Sequence, residues 1–181
     1  MIQIPYSMMV TVITFLWLIS RILCNRGKQV SWKREVMLML VYICIVVIVR
    51  FTFCPFGKVD GKIQPLIFYR NNWFPFRINL RPFVYLFDYP TLRETLLNLI
   101  GNITMFIPVG IVWPCVFKEL DTPRKVIAAG VGFSLVIEIM QLPFYDRLSD
   151  IDDLILNSLG FITGYGICLL IKKLKSLLSN K

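Results

Sequence analysis

The chain has 181 residues, is 56% hydrophobic with a mean hydropathy of +0.67, and carries a net charge of +9. So apolar a composition excludes an ordinary soluble domain, whose surface needs more polar residues, and indicates one integral membrane domain over residues 1–181. The chain holds no histidine, which excludes a Ser-His-Asp triad, histidine-ligated zinc or haem, and histidine phosphotransfer.

Five apolar runs approach the roughly 20 residues that a spanning helix needs. The first covers about 4–23 and is free of charge until Arg21. No basic segment precedes it and no small-residue cleavage site follows, so it is expected to stay in the protein. The second covers 36–56 and contains Arg50. The connector 57–95 mixes Phe68, Tyr69, Trp73, Phe74, Phe76, Phe83, Tyr85, Phe87 and Tyr89 with Arg70, Arg77 and Arg81. Such a mixture suits the membrane–water interface, so much of this loop is expected to lie along the outer leaflet.

The third run covers 96–117. Thr91 and Glu94 have the spacing of a capping box before it. Asn98 and Asn102 share a face at i, i+4, and Pro108 with Gly110 predicts a bend. The fourth covers 126–144, with Thr122 and Pro123 as N-cap and first-turn residue. It carries Ser134, Glu138 and Gln141. A charged connector follows, with Asp146, Arg147, Asp150, Asp152 and Asp153. Residues 149–152 can cap the fifth run, 154–171, where carboxylates meet the positive end of a helix. This last run carries Asn157 and the small pair Gly160 and Gly164, a spacing that permits close helix contact.

Cys24, Cys44, Cys54, Cys115 and Cys168 are scattered without C-x-x-C spacing. They read as small apolar packing residues, with no disulfide or metal role expected. The 150–153 carboxylates lack the glycine and glutamate of an EF-hand loop, and no phosphate-cradling glycine loop occurs. No cofactor is expected.

Basic residues orient the chain. Arg26, Lys28, Lys33 and Arg34 lie between the first two runs, Lys118, Arg124 and Lys125 between the third and fourth, and Lys172, Lys173, Lys175 and Lys181 after the fifth. These segments are expected in the cytoplasm with the C-terminus, and the N-terminus and the acidic connector outside. The six basic residues of 57–95 pull the other way, at lower density. The net positive charge serves topology and anionic lipid, and no nucleic acid is expected as partner.

The polar residues converge. Glu138 and Arg50 each lie six residues before the end of an apolar run, roughly 9 Å below the outer end at about 1.5 Å per residue. Arg50 is therefore the expected partner of Glu138. Asp150, Asp153 and Asn157 share a face at i, i+3, i+7 and aim at the same level as Asn98 and Asn102. The bland alternative is interhelical glue: amides in spans join helices, an Arg–Glu pair fixes register, and aspartates cap.

The chain resembles a known family. Asn79-Leu-x-Pro-Phe83, Asn98-x-x-x-Asn102 and Phe106-x-Pro-x-Gly110 look like the VanZ-like membrane proteins. Ser134-x-x-x-Glu138-x-x-Gln141, then Arg147, Asp150-x-Asp-Asp153, Asn157 and Gly160, continue the likeness. It covers about 50–166, leaving the N-terminal helix as an addition. The founding member is associated with low-level teicoplanin resistance, so the resemblance implies an envelope role and assigns no reaction. The expected partner is a membrane lipid, a lipid-linked cell-wall precursor or a lipoglycopeptide, held by a cluster of Arg50, Asn79, Asn98, Asn102, Glu138, Gln141, Arg147, Asp150, Asp152, Asp153 and Asn157, with no catalytic residue. The alternatives are a transporter or flippase, for which no inverted repeat is visible, and a membrane enzyme using Glu138 with the 150–153 carboxylates.

Overall fold

A computed structural model describes residues 1–27, 29, 31–54, 58–59, 61–69, 74–84, 90–144 and 147–179. Among the described residues the helices are α1 (Tyr6–Asn25), α2 (Trp32–Phe53), α3 (Leu92–Val116), α4 (Pro123–Gln141) and α5 (Ile151–Ser179). The strands are fragments: β1 (Ile2–Ile4), β2 (Lys58–Val59), β3 (Lys62–Ile63), β4 (Leu66–Phe68), β5 (Ile78–Asn79) and β6 (Ser149–Asp150). The chain is of the all-α class. α1, α2, α3 and α5 are long and apolar enough to cross a bilayer. α4 carries Arg124, Lys125 and Glu138 in 19 residues and is not among these four.

The helix ends differ from the apolar runs for local reasons. α2 stops at Phe53 because Cys54 precedes Pro55, and α4 stops at Gln141 because Leu142 precedes Pro143. The residue before a proline is driven out of the helical region. Glu138 and Arg50 therefore lie in the last turn of their helices, about 4.5 Å from the end. α1 starts at Tyr6, since Ile2–Ile4 pairs antiparallel with Leu66–Phe68. α5 runs on to Ser179, eight residues past the expected end. At ~1.5 Å per residue it is about 43 Å long, more than a hydrocarbon core of about 30 Å, so Lys172, Lys173 and Lys175 lie on a helical extension of the span. α3 is continuous through Pro108 and Pro114, which membrane helices tolerate where neighbours re-satisfy the backbone.

The chain divides into two compact units. The first comprises Met1–Ile78 and Met140–Leu148. In it, Tyr6 donates to the Val46 carbonyl at 3.1 Å, Thr14 meets Tyr42 at 2.8 Å, and Arg21 pairs with Glu35 at 2.6 Å. That descending register makes α1 and α2 an antiparallel pair. No α1 residue is buried, and Phe15, Leu16, Ile22 and Leu23 are exposed. So long an apolar face belongs against lipid. Met8, Val12, Val49, Leu66 and Phe144 help line an apolar groove of about 260 Å³.

The second unit comprises Asn79–Ile139 and Ser149–Lys181. Its axis is the contact of α3 with α5, where glycines take the place of side chains. A Cβ on Gly160 would overlap the Ile103 carbonyl, one on Gly164 the Ile107 carbonyl, and one on Gly110 the Phe161 carbonyl. The small-residue spacing therefore lets two backbones meet directly. Phe106, Val109 and Phe161 fill the buried layer beside them, and the Trp113 ring lies 4.9 Å from Phe133.

Candidate functional site

The site grows from the start of α5. Asp150 is its cap: Oδ1 accepts the Asp152 N–H at 2.9 Å, satisfying one of the donors that a helix N-terminus leaves free. The cap falls within the expected residues 149–152, and its carboxylate is that of Asp150, which with Ser149 forms β6. Asp152 and Asp153 occupy the first turn, where the helix dipole favours carboxylates.

Other segments bring donors to these acids. Asn79 donates through Nδ2 to Asp150 Oδ1 at 3.0 Å, while its own Oδ1 accepts the Arg81 N–H at 3.1 Å. Four residues on, the Phe83 N–H donates to Asp152 Oδ1 at 2.9 Å. Segment 79–83 is thus strapped to the start of α5 at two points. Asn102 on α3 donates to Asp153 Oδ1 at 2.6 Å, and Asn98, one turn earlier, lies beside the same carboxylate. Glu138 on α4 accepts the Asp150 N–H at 2.9 Å. One turn along each helix, Asn157 donates to Ser134 Oγ at 3.0 Å.

Burial makes these bonds necessary. Glu138, Asp152 and Asn157 are only 5%, 3% and 1% exposed, and buried polar groups without partners are costly. The structure therefore gathers Asn79, Asn98, Asn102, Glu138, Asp150, Asp152, Asp153 and Asn157 within the second unit. Ser134, noted in the sequence beside Glu138, joins them through Asn157.

Three expected residues belong to the first unit. Gln141 donates to the Thr52 carbonyl and Arg147 to the Phe53 carbonyl, both at 2.7 Å. These acceptors are the last carbonyls of α2, which the helix itself leaves unsatisfied. Phe144 packs edge-on against Phe53 and Phe68 between them. Arg50 lays its guanidinium 5.4 Å from the centre of the Phe51 ring. Arg50 and Glu138 thus fall in different units, and the partner of Glu138 described above is a backbone N–H. The sequence reading missed the Phe83 amide, because a main-chain donor leaves no side-chain signal. Among the described residues no three of Cys, Asp and Glu gather as metal ligands would.

Residues 39–172 match the family model described as VanZ/LLP1. No curated protein and no solved structure matches the chain.

Proposed function

Because the chain belongs to the VanZ/LLP1 family, we propose that it acts without catalysis at the outer leaflet of the cell membrane. There its acid–amide cluster engages a lipid-linked envelope component and lowers sensitivity to lipoglycopeptides such as teicoplanin. One observation carries the reading: Glu138, Asp150, Asp152 and Asp153 lie together where α4 ends and the apolar helix α5 begins, tied by Asn79, Asn102 and backbone N–H groups. Ionisable groups at membrane depth are costly and mark functional sites by default. The basic residues that flank the opposite helix ends support an outward position for this end, on the face where lipid-linked precursors are exposed to the antibiotic.

The test is expression of the chain in a susceptible Gram-positive host, with the inhibitory concentration of teicoplanin measured against an empty vector. A several-fold rise supports the reading. An unchanged value in cells that carry the protein in the membrane overturns it.

A further inference from the structure

Among the described residues, two side chains in the acid–amide cluster carry buried oxygens without a hydrogen-bond partner. Asp152 is 3% exposed, and its Oδ1 accepts the Phe83 N–H while Oδ2 has no partner. Asn157 is 1% exposed, and its Nδ2 donates to Ser134 while Oδ1 has no partner. Both atoms are acceptors. Both residues lie on α5 with Asp153, whose carboxylate already takes the Asn102 amide. Asp152 Oδ1 holds the 79–83 strap through Phe83, and Asp150, two residues before it, takes the Asn79 amide of the same strap and gives its N–H to Glu138, so Asp152 belongs to the same bonded group of carboxylates.

A buried acceptor without a donor is unfavourable, and a carboxylate oxygen more so than a neutral one. A ligand that supplies N–H or O–H groups relieves that deficit. A ligand that supplies only phosphate oxygens adds negative charge to a group of carboxylates and is repelled. Resting on the lipid-binding reading above, we propose that this cluster recognises its lipid through a hydrogen-bond-donating headgroup, a primary ammonium or sugar hydroxyls, and not through phosphate.

Lipids that differ only in donors provide the test. Phosphatidylethanolamine and phosphatidylcholine share a phosphate and differ in three N–H donors, which methylation removes. Diglucosyl diacylglycerol supplies hydroxyls without phosphate, and phosphatidic acid supplies phosphate without ammonium. Native mass spectrometry of the full chain with each lipid, at equal acyl length, gives the occupancies. Enrichment of phosphatidylethanolamine or diglucosyl diacylglycerol by about tenfold over phosphatidylcholine is expected, a difference of about 1.4 kcal/mol. Which of the two is enriched tells ammonium from hydroxyl.

Asp152→Asn completes the test. It keeps the oxygen that holds the Phe83 N–H and turns the unpartnered acceptor into a donor, so the strap stays while the preference falls to within about twofold of phosphatidylcholine. Equal occupancy of ethanolamine, choline and glucosyl lipids, or an Asp152→Asn variant that keeps the preference, overturns the inference. Dominant binding of phosphatidic acid overturns it too, yet leaves lipid binding standing. Absence of any bound lipid removes both readings.

Discussion

Glu138 Oε2 accepts the backbone N–H of Asp150 at 2.9 Å, so the last turn of α4 is held on the residue that opens α5. This bond uses one carboxylate oxygen and needs no charge. Its loss and the loss of the charge are therefore separable by substitution. Glu138→Ala leaves the Asp150 N–H unsatisfied and is expected to cost about 1–3 kcal/mol. Glu138→Gln keeps an acceptor and is expected to cost under about 1 kcal/mol. Thermal unfolding in detergent distinguishes them, and equal losses would contradict the assigned bond.

The glycines of the α3–α5 contact give a second contrast. Gly164→Ala and Gly160→Ala drive a methyl group into the carbonyls of Ile107 and Ile103. Backbone cannot yield as a side-chain tip can, so each is expected to lose about 1–3 kcal/mol. Gly132 on α4 has nothing near its missing Cβ, so Gly132→Ala is expected to be neutral or to gain up to about 1 kcal/mol from helix propensity. The same detergent unfolding measurement applies, and a stable Gly164→Ala variant would disprove the direct backbone contact.

Phe83 has a φ of 64°, in the left-handed region, with its side chain exposed and its N–H held by Asp152. A non-glycine residue there is strained by about 1–3 kcal/mol. Phe83→Gly removes that strain while keeping the N–H donor, so stability in detergent is expected to hold or rise by up to about 1 kcal/mol. A loss above about 1 kcal/mol would show that the ring packs and that the strap is not held by its backbone.

The helices and their caps were legible because their signals are local. Thr91 accepts the Glu94 N–H at 3.2 Å and Thr122 the Lys125 N–H at 3.4 Å, as their spacing predicted. The i, i+4 pairs Asn98/Asn102, Ser134/Glu138 and Asp153/Asn157 placed polar atoms on faces that the second unit turns inward. The strap was not legible as a bond pattern. Asn79 meets Asp150 across 71 residues and Phe83 meets Asp152 across 69, and neither pairing leaves a periodicity in the chain. Gln141 and Arg147, expected in the cluster, donate to the carbonyls at the end of α2, and neither of these bonds leaves a signal in the chain either. The expected residues Tyr85, Phe87, Tyr89, Arg70, Trp73 and Asp146 lie outside the described residues.

The orientation inferred from basic residues makes a topological prediction. In a cysteine-free background, Leu148→Cys is expected to react with a membrane-impermeant thiol reagent on intact cells, and Lys175→Cys only after lysis. Leu148 is 40% exposed, so its replacement is open to reagent. Labelling of Lys175→Cys alone on intact cells would place the cluster on the cytoplasmic face and end the outer-leaflet account.

The central claim is that the acid–amide cluster acts on an envelope component and does more than join helices. The most direct measurement is the inhibitory concentration of teicoplanin for cells expressing the wild-type chain or Glu138→Gln at matched membrane abundance. Loss of protection in the variant to the level of the empty vector, with its fold retained, is the predicted result. A Glu138→Gln chain that protects as well as the wild type would contradict the claim and leave Glu138 as a link between α4 and α5.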